Sequence, residues 1–272
     1  MTEPGYTEDD LALFVDLDRA ARSVGVVPCL IGAGAIRLGA DLEWRVRLPR
    51  ATLDWDFAVR VSSWQEFAVL SAALVSGNGG FVSTPVQHRF RHRTGGLLDL
   101  VPYGDVEKPP GEIQLHSGNV MTTRGFGALD HHHASFAAGH VNIRTASIPA
   151  IMGLKLIAYL DRRPGIIRDI QDAHAILEVS EGSVSDERTE RDGFDRLASG
   201  DIRYAEIGAY LLGRDLGRAF QPDALEPIVA LLQDVGSEGD RAVADVLRAS
   251  PGLDGDQVVI RFRALHLGIH DR

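Results

Sequence analysis

The sequence predicts an α/β half built on a mixed sheet, followed by a helical half. Three observations predict this. Short apolar runs of strand length alternate with amphipathic segments over the first half of the chain. After Ile148 the apolar residues recur at helical spacing only. With 272 residues, 44% of them hydrophobic, the chain can bury one substantial core or a core with an appended domain. The change of character near Ser147 predicts two domains, 1–147 and 148–272.

The elements follow in order. Leu11, Leu13, Phe14, Leu17, Ala20, Ala21 and Val24 predict a helix over Asp9 to Val24, stopped by Gly25. Val26 to Ile31 reads as a buried strand, Gly32-Ala33-Gly34-Ala35 as a turn, and Ile36-Arg37-Leu38 as the opening of a helix. Leu42 to Pro49 reads as a loop and Leu53 to Val61 as a strand. Trp64 to Leu74 is predicted helical with Ser62 or Ser63 as its cap. Gly77 to Gly80 is a turn, and strands are expected at Gln87 to His92, Leu97 to Val101 and Val141 to Thr145. Helices are then expected at Ile148 to Leu160, Ile166 to Leu177, Ile202 to Leu212, Asp223 to Leu232 and Arg241 to Arg248, with Ser180 to Thr189 as a polar linker.

Composition narrows the function classes. A charged fraction of 24% excludes a disordered chain, and a formal net charge of −10 argues against broad non-specific binding to nucleic acid. Two basic clusters stand out against that balance: Arg37, Arg45, Arg47, Arg50 and Arg60, and the run His88 to Arg93. Each reads as a solvated face or as a local phosphate site. The single cysteine, Cys29, cannot form an internal disulfide and fits a reducing compartment. No apolar run is long enough to span a bilayer, and the N-terminus is acidic and polar, unlike a secretory signal. The expectation is a soluble cytoplasmic protein with no membrane partner.

Asp54-Trp55-Asp56-Phe57 is the most informative stretch. On a strand, Asp54 and Asp56 share one face while Trp55 and Phe57 turn to the core. Carboxylates held side by side repel, and a divalent cation relieves that; Mg²⁺ takes one or two protein carboxylates and completes its shell with water and phosphate. Two other Asp-x-Asp pairs serve as controls. Asp16 and Asp18 fall in a helical pattern, where i and i+2 diverge, and Asp254 and Asp256 fall in a turn-like segment. Asp99 sits mid-way in the apolar run Leu97 to Pro102. It faces water on an edge strand, or it joins Asp54 and Asp56 from a neighbouring strand, where three carboxylates can hold metal. The turn Gly32-Ala33-Gly34 before a helix lets phosphate approach backbone amides, or is a tight turn that binds nothing. It is neither a Walker loop nor a dinucleotide fingerprint, since the Lys-Ser/Thr ending is missing and position 37 is Arg.

These motifs, with Arg50-Ala51-Thr52-Leu53 before the first carboxylates, Gly153-Leu154-Lys155-Leu156 and Arg168-Asp169-Ile170-Gln171-Asp172, stand in an order that resembles the AbiEii-type nucleotidyltransferases. That family includes toxins of type IV toxin–antitoxin systems and the related mycobacterial MenT proteins. The resemblance runs from about Asp9 to Glu178. It implies a polymerase-beta-like core with a helical C-terminal domain, and NMP transfer from an NTP with release of pyrophosphate. It implies that Gly32, Ala33 and Gly34 cradle the triphosphate, with Arg37 a further nucleotide-binding candidate on the same segment. The same resemblance implies that Asp54 and Asp56 bind Mg²⁺ and that Asp99 is the third carboxylate and helps deprotonate the acceptor. Lys155 meets phosphate, and Asp169, with Arg168 and Asp172 in the family's late Lys/Arg-Asp-x-x-Asp pattern, orders the nucleotide or Lys155. The implied partners are an NTP, an RNA acceptor such as the 3′ end of a tRNA, and an antitoxin protein. One departure stands out: the turn lacks the hydroxyl residue usual in the family, and Arg50 and Thr52 are the nearby candidates to compensate.

Read from residues alone, Lys155 is a solvated helical lysine or one at the edge of the core, and Asp169 and Asp172 are favourable helix-dipole placements. His131-His132-His133 has no partner at zinc-ligand spacing and is discounted as a metal site. Competing functions are a member that binds nucleotide or a partner without catalysis, a transferase acting on a protein or small molecule, and a metal-dependent nuclease.

Overall fold

A computed structural model describes residues 6–44, 54–77, 79–163, 165–237 and 240–271. The chain divides into two compact units, Met1–Ile151 and Met152–Arg272.

The first unit opens with α1 (Glu8–Val24). Thr7 and Asp10 form a reciprocal cap at its start, and Gly25 ends it in the left-handed region with φ 76°. Then come β1 (Cys29–Ile31), α2 (Gly32–Trp44), β2 (Asp54–Val61) and α3 (Trp64–Val75), the last capped by Ser63. Strands β3 (Phe81–Ser83), β4 (Arg89–His92) and β5 (Leu97–Gly104) follow, then the small pair β6 (Glu112–Gln114) and β7 (Val120–Thr122). β8 (His133–Ala138) and β9 (Val141–Ala146) close the set, and α4 (Ile148–Arg162) follows. Among the described residues, seven strands form one mixed sheet in the order β3-β4-β5-β2-β1-β9-β8. The β2–β5 and β1–β9 pairs are parallel and the others antiparallel.

Aromatic packing fixes which way β2 faces. Trp55 and Phe57 are buried, and Phe14 of α1 meets the Trp55 ring edge-on at 4.7 Å. The Trp55 indole N–H donates to Asp10 Oδ1 at 2.7 Å, so the carboxylate that caps α1 also pins β2. Asp16 of α1 is buried too. It lies 3.0 Å from His92 Nε2 and pairs with Arg93 at 2.6 Å and Arg19 at 2.8 Å, whereas Asp18 pairs with exposed Arg22. The two carboxylates of this helical pair do diverge.

The second unit is helical: α5 (Arg168–Ser180), α6 (Asp186–Asp192), α7 (Phe194–Ser199), α8 (Ile207–Ala219), α9 (Pro222–Gln233), α10 (Arg241–Ala249) and α11 (Gly255–His270). α8 and α11 lie backbone to backbone. A Cβ on Gly213 would stand 2.1 Å from Leu265 O, and one on Gly268 would stand 1.9 Å from Tyr210 O. Larger residues at either crossing would push the helices apart.

His174 of α5 is buried in this unit, and burial, aided by Arg261, pushes its imidazole down to about 4. The unfolded chain therefore takes up this proton first as pH falls. Stability is unaffected by it above about pH 6.5 and is lost as pH drops from there toward 4, by about 2–3 kcal/mol at pH 4.5. Guanidinium unfolding at pH 7 and 4.5 should show a smaller loss in His174→Leu than in the wild type. An equal loss in both would show that acid sensitivity comes from other groups.

Several boundaries differ from the sequence expectation. The loop expected from Leu42 begins inside α2, because Ala40 to Trp44 are adequate helix formers; positions 45–49 lie outside the described residues. The linker expected over Ser180 to Thr189 is shorter, since Ser185 caps α6 and accepts from the Arg188 amide at 3.3 Å. The helix expected from Ile202 starts at Ile207, after a 3₁₀ turn at Tyr204–Glu206. β3, β6 and β7 have three residues each, too few to show a period.

Candidate active site

The strand alternation that turns Trp55 and Phe57 inward turns Asp54 and Asp56 to the other face, where both are half-buried. β5 is not an edge strand. It lies between β4 and β2, and its parallel register sets Asp99 beside Asp56. Asp99 is buried, with 8% of its surface exposed. The sheet therefore brings together the three carboxylates that the sequence singled out.

The glycine turn meets the same place. Ile31 is the cross-strand partner of Asp56, and the next residue, Gly32, opens α2 with φ +68°. A Cβ on Gly32 would stand 2.3 Å from Asp56 Oδ2, so both the backbone angle and the contact require glycine. Gly34 serves differently. It is buried, and a Cβ there would stand 2.7 Å from the Trp55 ring, so its small size seats α2 against the sheet. Ala33 and Arg37 are half-buried on α2. Arg50 and Thr52 lie outside the described residues.

Sequence reasoning did not find the cation at this site. Of the run His88 to Arg93, only Arg89 reaches the carboxylates. Its Nε donates to Asp99 Oδ1 at 2.6 Å and its Nη2 to Asp99 Oδ2 at 2.5 Å; Nη2 also lies 3.3 Å from Asp54 Oδ2. The Asp99 hydrogen bond is the main reason the guanidinium is held above its ordinary range, with Asp54 and Asp56 adding to it. Burial lowers the neighbouring His88 imidazole, against an opposing pull from Asp99. Arg91 is exposed, and His92 and Arg93 belong to the Asp16 cluster. The signal was available. A hairpin with the three-residue loop Arg93-Thr94-Gly95, closed by His92 and Gly96, pairs Arg89 with Asp99.

Three carboxylates on one polar face suit a hard, oxygen-seeking cation. Asp54 and Asp56 are enough for a magnesium ion that draws its other ligands from water and phosphate. As they stand, no three acidic, imidazole or thiol groups among the described residues are close enough to enclose an ion, and both oxygens of Asp99 are turned to Arg89.

The second unit holds the other predicted residues. Lys155 of α4 lies 2.9 Å from Asp169 Oδ1 and 2.8 Å from Asp172 Oδ2, and Arg162 Nη1 is 3.3 Å from Asp169 Oδ2. Both carboxylates are buried, at 3% and 5% exposure, and Lys155 is nearly so. They are thus a built ion-pair cluster as well as residues of a helix's first turns. Arg168, at the start of α5, is exposed. His131 to His133 lead into β8, where the His133 ring lies 3.0 Å from Arg144.

A family model described as "Nucleotidyl transferase AbiEii toxin, Type IV TA system" matches residues 32–247. No curated protein gives a significant match. Two solved structures are similar. One is the antibiotic-resistance factor ANT(2'')-Ia in solution, 18% identical over 71% of this chain and 95% of that one, with a TM-score of 0.38. The other is an antigenic nucleotidyltransferase-like protein from Paracoccidioides brasiliensis, 15% identical over 72% of this chain and 92% of that one, with a TM-score of 0.40. Among the described residues, no helix is long and apolar enough to cross a membrane.

Proposed function

The chain belongs to the AbiEii nucleotidyl transferase toxin family of type IV toxin–antitoxin systems, and from that premise we propose that it transfers an NMP from a magnesium-bound NTP to a hydroxyl at the 3′ end of a tRNA, under control of an antitoxin protein. One observation carries this reading. Asp54 and Asp56 share a face of β2, with Asp99 in register beside Asp56 and the Gly32 turn pressed against Asp56.

In this reading the first amides of α2, freed by the Gly32 turn, receive phosphate oxygens at the positive end of the helix dipole. Asp54 and Asp56 would hold the magnesium. Bound magnesium neutralises the triphosphate and the leaving pyrophosphate. Asp99 takes the proton of the acceptor hydroxyl as its oxygen bonds to the α-phosphorus. The bond from that phosphorus to the bridging oxygen breaks, and pyrophosphate leaves. Lys155, oriented by Asp169 and Asp172, supplies positive charge to a phosphate. The absence of a hydroxyl in Gly32-Ala33-Gly34 favours one second reading, a member that binds nucleotide without transfer.

Purified protein incubated with Mg²⁺, total tRNA and each radiolabelled NTP in turn should place label on the RNA and identify the preferred nucleotide. Label confined to protein would replace the RNA acceptor. Shortened, unlabelled RNA would replace the transferase by a nuclease. Nucleotide binding with no label anywhere would favour the second reading.

A further inference from the structure

We propose that Arg89 is an internal counter-cation that competes with the divalent metal for Asp99 and Asp54, so that metal is taken up together with the triphosphate rather than ahead of it. The inference rests on reading Asp54, Asp56 and Asp99 as the metal face.

The geometry carries it. The guanidinium uses its fork on both oxygens of Asp99 and reaches Asp54 with the same Nη2, so it spans two of the three carboxylates. Its backbone is fixed, because Arg89 of β4 is the direct cross-strand partner of Asp99. A carboxylate as buried as Asp99 is costly without a cation, and Arg89 is that cation. A metal entering alone on Asp54 and Asp56 would have to displace the guanidinium from Asp54 and would face it across a few ångströms, and one that also takes Asp99 would have to break both of its charge-assisted bonds. A metal entering with a triphosphate changes the balance. Phosphate oxygens give the displaced guanidinium a bidentate partner as good as the carboxylate it leaves. The Arg89 side chain is about one-third exposed, so it has room to turn toward such a ligand. Its release also frees the Asp99 oxygens for the acceptor's proton.

Mn²⁺ binding, read from the electron paramagnetic resonance signal of the free ion, tests this without turnover. Without nucleotide, Arg89→Gln should bind Mn²⁺ at least about tenfold more tightly than the wild type, since roughly one charge-assisted interaction no longer opposes the ion. Arg89→Lys, which keeps the charge but loses the fork, should fall between them and serves if the glutamine variant fails to fold. With a non-hydrolysable NTP analogue the advantage should vanish or reverse. Asp54→Asn added to Arg89→Gln should remove the gain; if the gain persists, the ion sits elsewhere and the proposal fails. If wild type binds Mn²⁺ with the analogue but Arg89→Gln and Arg89→Lys show no gain without it, the counter-cation is overturned and the metal face stands. If no protein binds Mn²⁺ even with the analogue, the metal reading fails and takes this inference with it.

Discussion

Asp56→Asn is expected to lower transfer by about a thousandfold or more while leaving the protein folded. Asn keeps the shape of the side chain, so the close seat of Gly32 against position 56 is preserved. What changes is the charge. A neutral amide oxygen is a poor ligand for Mg²⁺, and the phosphate-bearing ion loses one of its two β2 carboxylates. Stability should change little. Asp56 lies in register beside Asp99, and Asp54 shares its face, so the substitution relieves repulsion from both while giving up attraction to Arg89. Sites of this kind commonly trade stability for activity, and the variant should melt at the wild-type temperature or slightly above it. Single-turnover transfer and thermal unfolding on the same preparation check both halves. Transfer within tenfold of wild type would remove Asp56 from the metal face. Lost activity with a collapsed melting temperature would make Asp56 a structural carboxylate.

The legibility of this site depends on distance along the chain. The shared face of Asp54 and Asp56 follows from the two-residue period of a strand, and the aromatic residues between them say which face is inward. The placement of Asp99 does not follow. β2 and β5 are parallel, with α3, β3 and β4 between them in sequence, and packing of that whole excursion sets their register. An isolated aspartate in an apolar run signals a need for a partner without naming it. Gly32 was legible as a residue that must be small, but the atom requiring it, Asp56 Oδ2, belongs to a separate strand. Gly34 had a second reason to be small that the sequence did not disclose: a Cβ there would meet the Trp55 ring. Arg89 was obscured by its neighbours. Six consecutive basic or aromatic residues read as one patch, whereas the strand splits them into Arg89 at the carboxylates and His92 at buried Asp16. In the helical unit, α11 alternates Arg261, Arg263 and His266 with its apolar positions, which blurs the stripe by which a helix of sixteen residues would announce itself.

The ion cluster of the helical unit yields the second large effect, and it separates a structural role from a functional one. Lys155→Met is expected to destabilise the protein by about 3–5 kcal/mol, the usual cost of leaving buried charges without their partner. Asp169 and Asp172 are both buried within 3 Å of the ammonium, so its removal takes a close cation from each, while Arg162 stays near Asp169. Adding Asp169→Asn and Asp172→Asn should restore most of that loss, because replacing a buried ion cluster as a whole is far milder than breaking it. Denaturant unfolding of the single and triple variants measures the recovery. If Lys155 is only a structural counter-ion, transfer should return with stability. If it meets a phosphate, as proposed, the triple variant should be as stable as wild type and still at least about a hundredfold slower, because the ammonium that would meet the phosphate is gone. A stable triple variant with normal transfer would confine Lys155 to holding α4 and α5 together. A triple variant no more stable than the single would show that the carboxylates, rather than the loss of their cation, determine the fold there.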